Sequence, residues 1–135
     1  MKTMFDINVV LDIVGCRKPF CDDSRAAFLK VVESGETPFL SAHAYPTIYY
    51  LLGGVATRKN RDIAMEWVFD SFRVSAIGPK EISAARGFGM PDFEDALVAA
   101  AAESAGCGLV ITRNVADFAA SPVKALSPTE YLNVE

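Results

Sequence analysis

The sequence has few of the residues that mark secreted, membrane-spanning or nucleic-acid-coating proteins. Its 135 residues contain three cysteines and one histidine, and 17 acidic residues outnumber 13 basic ones, which gives a formal charge of −4. Three cysteines without a CxxC pair are too few for a disulfide framework and favour reduced thiols in the cytoplasm. No apolar run approaches the ~18 residues of a membrane helix, so we expect no membrane association.

The composition favours a single α/β domain over residues 1–135. Apolar residues make up 51% of the chain and charged residues 22%, which is enough to bury a sizeable core. Short apolar runs alternate with longer segments of helical period, a pattern typical of a mostly parallel sheet covered by helices. Five strands are predicted, near Met4–Phe5, Pro38–Ser41, Arg73–Ile77, Leu109–Thr112 and Val123–Leu126.

Several residues predict where helices begin and end. Ser24 is a candidate N-cap, and Gly35 suits the left-handed residue after the last turn of the same helix. Ser127 begins a capping box, and Asp92 a long alanine-rich helix. Further helices are predicted around Pro46, over Asn60–Phe72 and over Pro79–Gly87.

Polar residues able to bind a ligand follow two predicted strands and open one helix. Because ligands sit beyond the carboxyl ends of parallel strands, we expect these residues to face a common site. Carboxylates gathered there need either raised pKa values or a cation, and Mg²⁺ or Mn²⁺ prefers oxygen ligands. The candidates are Asp6 and Asn8 after the first strand, Asp92 and Asp95 in the helix, and Asn114 and Asp117 after the fourth strand.

Each candidate also has a structural interpretation. Asp92 is a good helix cap, and Asp95 favours the positive end of the helix dipole. Asp6 can form an Asx-turn with the following backbone, and Asp117 can cap a turn. The only histidine, His43, lies beside an apolar run and is typical of a packed, hydrogen-bonded residue rather than a catalytic one.

Four segments together resemble the PIN domain, in particular the small VapC-like toxins of prokaryotic toxin–antitoxin pairs. The resemblance spans nearly the whole chain, and the pattern of the four segments is far more specific than the DxN of the first alone. The segments are FDINVVLDI, LSAHAYPTIYYLL, DFEDALVAAAAESAGCGLVITRNVADF and SPTEYL.

The resemblance implies a three-layer α/β/α sandwich around a mostly parallel five-stranded sheet. It also implies a Mg²⁺- or Mn²⁺-dependent endoribonuclease that hydrolyses RNA phosphodiester bonds, works as a homodimer and is neutralised by a protein antitoxin. By position, Asp6 and Asp95 are the metal ligands, supplemented by Asp92 or Asp117, one of which orients the attacking water. We expect three residues to contact the RNA substrate, namely Arg113 at a phosphate, Asn114 and Asn8.

One position departs from the family pattern. Many PIN domains have a glutamate in the helix after the second strand, where this chain has Thr47. A hydroxyl supplies no charge, so the site has fewer carboxylates and binds its ion more weakly. The alternative function is therefore a degenerate PIN module that binds RNA or a protein partner without cleavage. A phosphotransfer domain fits less well, because Asn8 stands where dehalogenase-like enzymes need a second aspartate.

Overall fold

Five strands form the central sheet of the computed structural model, which describes residues 1–134. Every neighbouring pair is parallel, and the order across the sheet is β3-β2-β1-β4-β5. This confirms the predicted five-stranded sheet, although the third and fifth strands are shorter than predicted. The strands are β1 (Lys2–Phe5), β2 (Thr37–Ser41), β3 (Arg73–Ser75), β4 (Leu109–Ile111) and β5 (Ala125–Leu126).

Helices cover both faces of this sheet. Successive strand residues point to opposite faces, so Phe5 and Ile111 pack with α1 to α4 and α7, whereas Met4 and Val110 pack with α6. This arrangement confirms the three-layer α/β/α architecture. No helix in the described residues 1–134 is long and apolar enough to cross a membrane. The helices are α1 (Ile7–Val14), α2 (Cys21–Glu33), α3 (Ala44–Leu52), α4 (Arg58–Ser71), α5 (Pro79–Gly87), α6 (Phe93–Ala105) and α7 (Pro128–Leu132).

Most predicted helix ends are confirmed, and one is wrong. Asp92 caps α6, Gly35 has a positive φ of 77° after α2, and Ser127 forms the capping box of α7. Ser24, by contrast, lies inside α2 and is fully buried, because that helix already begins at Cys21. Helix α1 was not predicted, although its two polar residues, Asn8 and Asp12, lie four residues apart, which is a helical spacing.

Small side chains allow α6 to pack tightly on two sides. Ala96 and Ala100 contact Ala85 of α5, while Val98 and Ala99 belong to the cluster that packs against the sheet. Helix α6 is therefore buried around most of its circumference. Its first residue, Phe93, by contrast, is half exposed. The close packing fixes the position of the first turn of α6, where Asp95 lies.

Candidate active site

The strand order changes direction between β1 and β4, and this is where open parallel sheets bind ligands. Asp6 follows β1 directly, and its backbone N–H donates to the carbonyl of Ile111 at 2.9 Å. Thr112 follows β4, and its Oγ1 donates to Asp6 Oδ2 at 2.7 Å. The two strand ends are thus joined at the base of the crevice.

Asp6 is a buried carboxyl group held in one orientation. Its residue is 2% exposed, and Oδ1 accepts a hydrogen bond of 2.8 Å from the N–H of Ile7, which caps α1. Burial raises the pKa of Asp6, although the hydrogen bonds from Thr112 and Ile7 oppose this effect. This contact is with the next residue, so the predicted Asx-turn, which needs the N–H two residues on, is not formed; Thr112 supplies a partner from a distant part of the chain.

Asp95 lies in the first turn of α6 and is 7% exposed. Burial, as the largest cause, and the negative charges of Asp6, Asp92, Asp117 and Glu94 together raise its pKa to about 7. The fold therefore brings the four predicted carboxylates into one electrostatic neighbourhood. Glu94 was not predicted as a member, although its place beside Asp95 in the helix sequence is a usable signal.

A second buried carboxylate lies close to this cluster and is fully neutralised. Asp12 of α1 is completely buried and pairs with two arginines, Arg17 through a 2.9 Å contact and Arg113 through a 2.7 Å contact. The guanidinium of Arg113 also lies 3.9 Å from the centre of the Phe20 ring. Both ion pairs found within residues 1–134 involve Asp12, so no basic side chain pairs with the carboxylate cluster.

The predicted substrate-contacting residues follow the two strand ends, with Asn8 in α1 after β1 and with Arg113 and Asn114 after β4. Arg113 and Asn114 line a recess of about 270 Å³ together with Phe20. The backbone N–H of Asn114 donates to Thr112 Oγ1 at 3.0 Å, which links the recess to Asp6 through a single hydroxyl group. Asn8 lies in the first turn of α1 and is half-buried.

Thr47, the residue that departs from the family pattern, forms its side-chain hydrogen bond within its own helix. Thr47 Oγ1 donates to the backbone carbonyl of His43 at 3.0 Å, a local bond that adds no charge. Burial lowers the pKa of His43, so the ring is neutral at pH 7. Neither ring nitrogen has a hydrogen-bond partner among residues 1–134, so the expectation of a packed histidine is met, but that of a hydrogen-bonded one is wrong.

The donor set fits a hard divalent cation that keeps most of its water. Within the described residues no three His, Cys, Asp or Glu side chains converge into a closed ligand cage. Mg²⁺ is commonly bound by only one or two carboxylates together with water. Asp6 and Asp95 are buried and mutually repulsive, and no hydrogen-bond donor in residues 1–134 reaches the Asp95 carboxylate. A cation would relieve this repulsion.

The architecture recurs in solved structures of low sequence identity. VapBC2 from Rickettsia felis, bound to a DNA fragment from its promoter, matches with a TM-score of 0.72 at 12% identity, covering 94% of this chain and 98% of that one. VapBC-1 from nontypeable Haemophilus influenzae matches with a TM-score of 0.73 at 17% sequence identity, covering 96% of this chain and 99% of that one. FitAcB from Neisseria gonorrhoeae matches with a TM-score of 0.67 at 18% sequence identity, covering 94% of this chain and 98% of that one. At such identities the likeness establishes the fold.

The family follows from the sequence itself. No curated protein sequence matches the chain significantly. The family model described as PIN domain, however, matches residues 2–116, which include both strand ends, the first turn of α6 and part of the turn after β4. The chain belongs to the PIN domain family.

Proposed function

We propose that this protein is a metal-dependent endoribonuclease of the VapC-like toxin type, in which Asp6 and Asp95 hold Mg²⁺ or Mn²⁺. One observation carries the proposal, namely that these two buried carboxylates repel each other at the ligand-binding edge of the sheet and that neither has a basic partner within residues 1–134. A protein that gained nothing from this arrangement would be more stable without it. Membership in a family of nucleases supports the same activity.

Each residue of the site has a separate role in the proposed hydrolysis of the phosphodiester bond. Asp6 is fixed by Thr112 and Ile7 and can offer the remaining lone pairs of its oxygens to a cation. When bound, the ion activates water and offsets the charge that develops on the phosphate. Asp117 or Asp92 accepts a hydrogen bond from the attacking water and so orients it. Arg113 and Asn114 position the RNA backbone at the adjoining recess.

An assay of RNA cleavage with Asp6→Asn tests the mechanism. The amide keeps the size of the side chain but removes its charge, so we expect cleavage in Mg²⁺ or Mn²⁺ to fall by about 100-fold or more. EDTA should abolish the activity of the wild type. Asp70→Asn on the exposed side of α4 is the matched control and should cleave normally. Full activity of Asp6→Asn, or activity in EDTA, would disprove the mechanism.

The second candidate function is an RNA- or protein-binding module without cleavage. It is favoured by Thr47, whose hydroxyl is bonded to its own helix and leaves the site short of one carboxylate. Gel-shift measurements on the same RNA distinguish the two functions. Retention of intact RNA by the wild type in Mn²⁺, with no product after prolonged incubation, would favour the binding module.

We propose, in addition, that the chain forms a homodimer and binds a protein antitoxin. The similar structures from Rickettsia felis and Klebsiella pneumoniae are of a VapBC pair and a toxin–antitoxin complex. A groove of about 630 Å³ between α2 and α4 offers such a partner an apolar surface. Its lining includes Leu29 and Ile63, which are 53% and 60% exposed and thus accessible to a partner.

Charged substitutions in the groove test the partner surface. Leu29→Asp and Ile63→Asp should each weaken binding of the antitoxin encoded beside the gene by at least about tenfold, because a carboxylate would have to be buried. RNA cleavage by the free variants should be unchanged. Val55→Asp is the matched control, since Val55 is 85% exposed and lies outside the groove. Calorimetry measures the affinity, and equal affinity for all variants would place the partner elsewhere.

A further inference from the structure

The turn between α1 and α2 brings two of the three cysteines into contact. Cys16 is exposed and has a positive φ of 46°, and Cys21 is the first residue of α2 and is buried. The Cys21 thiol donates to Cys16 Sγ over a distance of 2.8 Å between the sulfur atoms. Cys107 is buried in the other layer of the fold, in the cluster around α6.

The backbone between the two cysteines is held in a closed turn. Phe20 and Cys21 both donate their N–H groups to the carbonyl of Arg17, at 3.0 and 2.8 Å, and the N–H of Arg17 donates to the carbonyl of Asp12 at 3.0 Å. A disulfide has an S–S distance of about 2.05 Å, so a sulfur shift of less than about 1 Å completes the bond. The folded turn therefore presents the two thiols in position to be joined.

We propose that Cys16 and Cys21 are an oxidation site that forms a reversible intramolecular disulfide. The oxidant class is a low-molecular-weight disulfide such as oxidised glutathione. One protein dithiol and one oxidised glutathione give one protein disulfide and two molecules of reduced glutathione, so two electrons and two protons pass to the reagent. This inference is independent of the proposed nuclease function.

The exposure of the two thiols sets the order of the steps. Cys16 is the accessible group, so its thiolate attacks the reagent, releases one glutathione and forms a mixed disulfide. Burial, together with the hydrogen bond to Cys16, raises the pKa of the Cys21 thiol, which therefore stays protonated before this step. Cys21 then loses its proton, attacks Cys16 Sγ and releases the second glutathione.

The turn closed by the disulfide touches the candidate active site. It carries Arg17, which pairs with Asp12, and Phe20, which supports the guanidinium of Arg113. Arg113 lines the recess that is linked to Asp6 through the Thr112 hydroxyl. Oxidation thus covalently fixes the segment that holds Arg113 in place.

Peptide mapping tests the proposal directly. The folded protein is incubated with oxidised glutathione, free thiols are alkylated under denaturing conditions, and the chain is digested with trypsin. Trypsin cuts after Arg17, between the two cysteines, so the disulfide joins peptide 3–17 to peptide 18–25. We expect this linked pair as the main oxidised product. A Cys16–glutathione adduct as the end product, or only intermolecular disulfides, would overturn the proposal.

Two comparisons separate the folded geometry from mere closeness in sequence. At a fixed glutathione ratio, the ratio of disulfide to dithiol should be about tenfold higher in the native protein than in urea, because only the fold holds the sulfur atoms together. Equal ratios would overturn the inference. Cys107→Ser should still form the linked pair, whereas Cys21→Ser should stop at a mixed disulfide on Cys16. Cys16→Ser should leave Cys21 unmodified, and its modification would contradict the order of attack.

Discussion

Two buried carboxylate sites lie side by side in this protein and are neutralised in opposite ways. Asp12 is fully buried, and the chain supplies two arginines that contact both of its oxygens. Asp6 and Asp95 are nearly as buried, but no lysine or arginine in residues 1–134 pairs with them. The two arginines of this region, Arg17 and Arg113, pair with Asp12 and not with the carboxylate cluster.

The difference indicates which site is structural and which is functional. A buried charge that the chain neutralises itself stabilises the fold and has no need of a ligand, whereas an uncompensated pair of carboxylates leaves its repulsion for a cation to relieve. Asp12 also keeps Arg113 oriented beside the cluster. The neutralised site therefore holds in place a residue of the candidate active site.

The largest effect on stability should come from the neutralised site. Asp12→Asn removes the charge that two arginines share, and we expect the free energy of unfolding to fall by about 3 kcal/mol, the lower end for buried pairs because both arginines are partly exposed. Urea denaturation at pH 7 measures the change. Asp70→Asn, on an exposed helix surface, should stay within about 0.5 kcal/mol of wild type. A similar loss in both variants would remove the distinction between the sites.

In the carboxylate cluster, by contrast, removal of a charge should raise the free energy of unfolding. In the native state the pKa of Asp95 is about 7, compared with 3.8 for the ordinary group, so wild-type stability falls as the pH rises from 3.8 to about 7. Asp95→Asn avoids this loss and should be more stable than wild type by about 1–2 kcal/mol at pH 8, after allowance for solvent screening.

The pH dependence of this difference is the control. Near pH 3.5 the carboxyl group is protonated in both the folded and the unfolded chain, so Asp95→Asn and wild type should be about equally stable. Urea titrations at pH 3.5, 5.5 and 8 should show a difference that grows with pH. A destabilised Asp95→Asn at pH 8 would mean that the carboxylate has a favourable partner in the protein.

The smallest effect should come from metal binding itself. Mn²⁺ at about five times its dissociation constant should stabilise the wild type by about 1 kcal/mol, because it binds only the folded chain. Calorimetric unfolding with and without EDTA measures the shift. Asp95→Asn should lose the stabilisation by Mn²⁺, and Asp12→Asn should keep most of that stabilisation. Equal stabilisation of all three proteins would place the ion outside the cluster.

Much of the fold could be predicted because it is encoded locally. The five apolar runs, the cap at Asp92 and the capping box at Ser127 each depend on residues within a few positions of one another. The prediction of Ser24 as a cap failed because α2 begins without a side-chain cap, at Cys21. Helix α1 was missed because its long run of apolar residues obscured the helical spacing of its two polar residues, Asn8 and Asp12.

The contacts that define the candidate site could not be predicted, because they join distant parts of the chain. Arg113 is 101 residues from Asp12, and Thr112 is 106 residues from Asp6. Sequence spacing alone favoured a phosphate contact for Arg113, and it contained no sign that Asp12 would take its guanidinium. The gathering of acidic residues at one site was predictable, because ligands bind beyond the carboxyl ends of parallel strands. Their lack of basic partners within residues 1–134 was not predictable.

The central position of β1 has a consequence for the timing of synthesis. Asp6 is synthesised 106 residues before its partner Thr112, which follows β4, and also well before Asp95 of α6. Strand pairing of such large sequence separation forms late. A nascent chain therefore carries the Asp6 carboxylate without its hydroxyl partner and without the neighbouring Asp95 carboxylate until α6 and β4 have been translated.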